Sequence, residues 1–322
     1  MIAWCLPGRP AARQPARSPT HAPTKPREHP VQRLPIIGQP LGHSAVEAVQ
    51  QAAFEAAGLK VAIEHWERKP HQLAEAIAAV KGRGYLGGLI AAPHKEKVAT
   101  LLGSLSDDAR NSGAVSVVVR EGARLRGYNS EVDGVRAGIV AILPKVQGKW
   151  PRQAIVLGAG GGARAVVSVL IGSGFQRIAV FNRHLHRAEA LVAHFARSAR
   201  HMDLRAMPWH ETIIGAELAK AGLLVNTTAI GIKEKESPIP GELLRSGLYV
   251  LDLVLDHEAT PLMVEASAQD GTVANGQASF LRASAETFRL LTGKEAPVDA
   301  MRQALATALG LPEEGIAAVV GD

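Results

Sequence analysis

Cysteine is all but absent from this chain. The one thiol, Cys5, lies in a Pro-rich leader without a partner, which excludes an internal disulfide framework and any Cys-based zinc site. That usage fits a reducing compartment, and a cytoplasmic location is expected. Long apolar runs are missing too. Nothing approaches the roughly 20 uninterrupted apolar residues of a membrane span, and a run such as Ala137 to Leu143 is broken by Gly138; no membrane partner is expected. Acids are scarce in the first 33 residues, where Arg9, Arg13, Arg17, Lys25, Arg27 and Arg33 meet only Glu28. Almost all of the net charge of +6 therefore lies there. The remainder, close to neutral, has no basic face to meet phosphates, so no nucleic-acid partner is expected.

What is present is a chain of 322 residues, 47% hydrophobic, enough for two ordinary cores. Residues 1–32 carry Pro7, Pro10, Pro15, Pro19, Pro23, Pro26 and Pro30 and read as a disordered tail, too rich in proline for the amphipathic helix of an organelle-targeting signal. From Leu34 onward, strand-length apolar runs alternate with stretches of helical period, the pattern of βα units on a largely parallel sheet. Strands are expected at Pro35–Gly38, Val61–Ile63, Leu86–Ala91, Val115–Val118, Ala154–Leu157, Ile178–Phe181, Leu223–Val225 and Tyr249–Val254. Helices are expected at Ala45–Ala57, Gln72–Val80, Lys95–Leu105, Ser279–Leu291 and Asp299–Ala308.

The sharpest local motif is Gly158-Ala159-Gly160-Gly161-Gly162-Ala163-Arg164-Ala165, directly after a strand and opening an apolar helix. Glycines there let the backbone turn sharply and approach a pyrophosphate, which the helix N-terminus then receives. About 20 residues further on, NAD enzymes place an acid on the adenine ribose. Here the next strand ends in Asn182-Arg183-His184, with Arg187 one turn later and no acid. Two guanidiniums suit a 2′-phosphate, so the expected cofactor is NADP.

Several motifs, in order, resemble those of the shikimate dehydrogenase family. They run from Gly38-Gln39-Pro40-Leu41-Gly42-His43-Ser44 through Pro93-His94-Lys95-Glu96, Gly113-Ala114-Val115 and Gly127-Tyr128-Asn129 to the glycine loop and Asn182-Arg183. Val225-Asn226-Thr227-Thr228, Asp252 with Thr260-Pro261-Leu262, and Phe288 to Gly293 complete the series. The resemblance implies an N-terminal α/β substrate domain (33–138) completed by C-terminal helices (276–322), with a Rossmann-type NADP domain (139–275) inserted between them. It implies Lys95 and Glu131 as the catalytic pair, Glu131 standing where the family usually has aspartate, with Asp133 the weaker alternative. One amine beside the reacting oxygen serves alcohol oxidation and ketone reduction alike. Ser44, Ser116 and Asn129 are the implied substrate contacts; Gly158, Gly160, Gly161, Gly162, Ala163, Asn182, Arg183, Arg187, Thr227 and Thr228 are expected at the cofactor.

Departures from the family pattern cluster at substrate positions. Leu89 and Ala91 stand where Asn and Thr are usual, Ser116 replaces Asn, Val46 a serine, Leu255 a tyrosine and Ala283 a glutamine. The resemblance implies reversible hydride transfer between NADP(H) and a shikimate-like cyclic hydroxy or keto acid. Shikimate dehydrogenase proper and a non-catalytic NADP or metabolite sensor are the alternatives. His43 and His94 are read as structural, with no metal expected, and the protein is expected to be a monomer or homodimer.

Overall fold

The computed structural model describes residues 31–41, 45–143, 151–231, 236–255 and 259–312. In chain order the first series is β1 (Gln32–Gly38), α1 (Ala45–Ala56), β2 (Val61–Glu67), α2 (Leu73–Ala79), β3 (Gly87–Ile90), α3 (Lys95–Leu101), α4 (Asp107–Ser112), β4 (Val117–Glu121), β5 (Arg124–Tyr128) and α5 (Glu131–Ile142). The second is β6 (Gln153–Leu157), α6 (Gly161–Gly172), β7 (Arg177–Asn182), α7 (Leu185–Phe195), β8 (Asp203–Pro208), α8 (Glu211–Leu218), β9 (Leu223–Asn226), β10 (Tyr249–Asp252), α9 (Pro261–Ala268) and β11 (Thr272–Asn275). Helices α10 (Gln277–Thr292) and α11 (Val298–Leu309) follow.

Two sheets result, so the chain is α/β with a Rossmann-type half. The first has the order β2-β1-β3-β4-β5, parallel around β1 and antiparallel from β3 to β5. The second has the order β11-β10-β9-β6-β7-β8 and is parallel throughout. Parallel strands covered on both faces need apolar side chains on both, and β6 supplies them: Ala154 and Val156 enter one core, Ile155 and Leu157 the other. The C-terminal helices return to the first sheet. Phe288 of α10 meets Phe54 of α1 at a ring-centroid distance of 5.6 Å, with Leu281, Met301 and Leu305 in the same core. Burying each of those aromatic side chains contributes about 1.5–3 kcal/mol.

Some expectations need correction. The expected leader extends through residue 32, but Gln32 opens β1, its amide donating to the Lys60 carbonyl at 3.0 Å. Helix α5 runs unbroken across the expected 138/139 boundary, because Val132, Val135 and Ile139 bury one stripe in the core of the second sheet while the same helix packs on α10. The expected helix Lys95–Leu105 stops at Leu101, and Ser106 caps α4 by accepting the Ala109 amide at 3.2 Å. Strands β5, β8 and β11 lie outside the expected set. β5 alternates exposed and buried residues in a charged hairpin turning at Gly122, whose φ of 64° suits glycine. β8 and β11 are edge strands without a single fully buried residue, so no apolar run marks them.

Candidate active site and cofactor cleft

The glycine loop sits where the strand order of the second sheet reverses, β7 lying on one side of β6 and β9 on the other, the usual crevice for a dinucleotide. Gly158 has φ of 105°, and a Cβ there would come within 2.4 Å of Thr227 Oγ1. Gly160 precedes α6, and an added Cβ there would meet no neighbour within 4 Å, so its backbone is bare toward the cleft; Gly162 is equally open but faces the space beside Lys95. The residues fit a pyrophosphate cradle on a helix N-terminus.

That cleft, about 790 Å³, is lined by Gly158, Gly160, Asn182, Arg183, Arg187, Thr227 and Thr228 together with Trp209 and Ser237. Among the described residues Arg183 and Arg187 make no ion pair, and Glu236 is the one acid of the described lining. Asn182 holds the start of the following loop by donating to the His184 carbonyl at 2.9 Å. Ala163, grouped with the cofactor residues above, is fully buried in the core beneath the loop.

A side-chain network underlies this backbone. Asn226 accepts from the Thr228 amide at 3.0 Å and from its hydroxyl at 2.8 Å, and donates to Asp252 Oδ1 at 2.9 Å. Asp252 also accepts from the Val254 amide at 3.1 Å and the Thr260 hydroxyl at 2.6 Å. Burial pushes the Asp252 carboxyl above its ordinary range despite the lowering pull of these bonds.

Lys95 opens α3, and its carbonyl accepts the Val115 amide at 2.9 Å. The preceding His94 is buried with Nε2 2.6 Å from the Arg68 carbonyl, a structural anchor; among the described residues no three metal-ligating side chains cluster. Glu131 opens α5, its amide donating to Asn129 Oδ1 at 3.2 Å, while Asn129 donates to the Ser112 hydroxyl at 2.9 Å. Lys95 Nζ and Glu131 Oε1 form a tight ion pair, and the carboxylate's second oxygen is buried without a hydrogen-bond partner. The nearest part of the glycine loop is Gly161, where a Cβ would stand 2.8 Å from Lys95 Cδ.

This pair borders two spaces. One, about 280 Å³, is lined by Lys95, Glu131, Gly162, Thr227, Phe280 and Ala283, and Thr227 continues it into the cofactor cleft. The other, about 320 Å³, has Lys95, Glu131, Ser116 and Ser130 on its wall with Val46, Leu89, Ala91, Phe280 and Ala283. The substituted positions thus converge on one cavity and make much of its wall apolar. Leu255 is not in that lining; it packs against the first core.

The implied contacts divide. Ser116 lines the cavity, bonded to the Ser130 hydroxyl at 3.0 Å, but Asn129 does not reach the lining; its neighbour Ser130 does. Ser44 and His43 lie outside the described residues. Asp133 pairs with Arg136 at 2.9 Å away from both spaces, its carboxyl raised by burial and by Glu286. Gln50, Ser284 and Thr287 line the cavity although no motif marks them. The spacing 280, 283, 284, 287 on α10, one helical face, was the available signal.

Comparison with known proteins agrees with this geometry. The family model described as "Shikimate dehydrogenase substrate binding domain" matches residues 36–118, and "Shikimate / quinate 5-dehydrogenase" matches 143–226. A shikimate dehydrogenase (NADP(+)) from Symbiobacterium thermophilum is 36% identical over 279 residues, 86% of this chain and 94% of that protein. The shikimate 5-dehydrogenase of Thermus thermophilus, solved in complex with NADP(H) and shikimate, matches with a TM-score of 0.72 and 30% identity, covering 86% of this chain and 100% of that one. A quinate dehydrogenase from Corynebacterium glutamicum in complex with NAD matches at 0.75 and 26% identity, covering 86% of this chain and 99% of that one. With more than a third of the aligned residues identical to a relative matched over nearly its whole length, and with both sheets accounted for, the chain belongs to the shikimate dehydrogenase family.

Proposed function

We propose that the protein is an NADP-dependent oxidoreductase acting on a CH–OH group, interconverting a shikimate-like cyclic hydroxy acid and its ketone. The observation that carries this reading is the Lys95–Glu131 pair, set on a wall common to the substrate cavity and the space that leads to the glycine loop. NADP(H), when bound, supplies or accepts the hydride.

The chain's own residues do the rest. Arg183 and Arg187 hold the 2′-phosphate, the loop Gly158–Gly162 receives the pyrophosphate, and Thr227 and Thr228 flank the cleft. Lys95 Nζ donates the proton to the carbonyl oxygen as it becomes an alcohol and recovers it in the reverse direction. Glu131 keeps the ammonium aimed by taking it on Oε1, leaving Oε2 to accept from the substrate hydroxyl. A binder without turnover needs the cleft but has no use for an amine and a carboxylate paired at the substrate wall.

Val46, Leu89, Ala91 and Ala283 offer no side-chain hydrogen bond to ring hydroxyls. Each lost bond costs about 0.5–1.5 kcal/mol, and stranded substrate polar groups cost more. A ring with fewer hydroxyls than shikimate is therefore the favoured substrate. Shikimate itself is the second reading, supported by the names of the relatives. An NADP+-linked screen of shikimate, quinate and simpler cyclic hydroxy acids separates them: shikimate turning over fastest selects the second reading, and no turnover with any compound removes both. No helix among the described residues is long and apolar enough to cross a membrane; the near-absence of cysteine supports a reducing, cytoplasmic location, and the proposed state is a monomer or homodimer.

A further inference from the structure

Among the described residues of the cavity wall, two buried acceptors lack partners. One, Glu131 Oε2, belongs to the reacting pair; the other is Gln50 Oε1. Gln50 projects from α1 and is only 1% exposed. Its Nε2 donates to the Ser284 carbonyl of α10 at 2.8 Å. That bond sets the amide's orientation, since a carbonyl accepts only from the NH2 end. The oxygen is the half left over, and a buried unsatisfied acceptor is rare enough to require an explanation.

Ser116, Ser130 and Thr287, on the same wall, already bond to one another. The Ser116 hydroxyl accepts the Ser130 amide at 2.9 Å, and Ser130 bonds in turn to the Thr287 hydroxyl at 2.9 Å. Among the described lining residues the basic groups are Lys95 and His65, which face Glu131 and Glu47. Around them stand Ile36, Leu41, Val46, Leu89 and Phe280.

We propose that Gln50 is a specificity-determining residue whose carbonyl oxygen accepts a hydrogen bond from a substrate hydroxyl other than the one oxidised. The inference rests on the dehydrogenase reading for the meaning of the cavity and deepens it. An acceptor selects a donor: at this position a hydroxyl is required, while a ketone or carboxylate oxygen meets lone-pair repulsion. The substrate class is a cyclic alcohol with at least one further hydroxyl on an otherwise sparsely oxygenated ring.

The test uses the full-length protein loaded with NADP+, with shikimate and analogues lacking one or two ring hydroxyls as probes, read by calorimetric Kd and by kcat/KM. In the wild type, removing one particular non-reacting hydroxyl should weaken binding about tenfold or more. In Gln50→Met that preference should vanish while NADP+ affinity and Tm stay close to wild type. Should the methionine variant fail to fold, Gln50→Asn, which withdraws the amide by one methylene, takes its place with the same expected loss. A hydroxyl preference that survives the substitution, no preference in the wild type, or no binding of any probe overturns the proposal. Gln50-dependent binding without turnover counts against the dehydrogenase reading alone; turnover indifferent to Gln50 counts against the present inference alone.

Discussion

The substrate cavity borders Lys95, the cofactor cleft is reached past Thr227 through the adjoining space, and the two are made of different material. One wall of the cleft is the backbone of the glycine loop, where a Cβ at 158 would collide with Thr227 and the main chain at 160 is bare, with Asn182, Arg183, Arg187 and Thr228 around it. The cavity is lined by side chains from β1, α1, β2, β3, α3, α5, α10 and the loops between them. A backbone site needs a contiguous run of one residue type and resists change, because a single added methyl blocks it. A side-chain site can be re-specified one position at a time while the fold stays intact, as Val46, Leu89, Ala91 and Ala283 illustrate.

The largest expected effect separates the two regions outright. Lys95→Ala should lower kcat about 10³-fold yet leave NADP+ affinity within about twofold, measured by steady-state kinetics beside cofactor titration; a comparable loss of cofactor binding would mean that the amine belongs to the cleft. Next comes the point where the regions touch. Gly161→Ala places a methyl 2.8 Å from Lys95 Cδ and 3.1 Å from its Cβ, and displacing the amine should cost roughly 10- to 100-fold in kcat. Gly172→Ala, with nothing within 4 Å, is the neutral control.

Within the cleft alone, Arg183→Ala should weaken NADP+ binding about 10- to 100-fold, as loss of a charge-assisted bond does, and leave NAD+ binding unchanged; parallel loss for both cofactors would place the guanidinium elsewhere. Within the cavity alone, Leu89→Asn with Ala91→Thr should raise kcat/KM for shikimate about tenfold by restoring two hydrogen bonds. An unchanged value would show that these positions do not discriminate ring hydroxyls.

The smallest effect concerns the network beneath the cleft. A carboxyl whose pKa is raised by folding contributes stability that is complete below the ordinary carboxylate range, near about 3.9, and is lost as pH rises through the raised value. Asp252 is such a group. Asp252→Asn keeps an acceptor for Asn226 and Val254 but cannot ionise, so the difference in Tm should shift toward the variant as pH rises from about 4 to about 8. A pH-independent difference would contradict the burial argument.

The same contrast explains what was legible in the sequence. Gly158 to Gly162 after an apolar strand, Asn182-Arg183 at the end of the next, and Lys95 in its motif were readable because each occupies a contiguous stretch with one chemical requirement. Gln50, Ser284 and Thr287 were not. Each is a lone polar residue on an otherwise ordinary amphipathic helix, and its meaning depends on α1 and α10 meeting across the first sheet. Asn129 shows the limit from the other side: the motif Asn129-Ser130-Glu131 was visible, but which of its members reaches the cavity depends on how α5 begins, and that turn sends Asn129 toward Ser112 and Ser130 inward.

The most direct measurement is NADP+ reduction by wild type and Lys95→Ala, side by side, across shikimate, quinate and less hydroxylated cyclic hydroxy acids. The expected result is turnover in the wild type that is greatest on a sparsely hydroxylated ring and falls about 10³-fold in the variant. Full activity in Lys95→Ala, or no NADP+ reduction with any of these compounds, would contradict it.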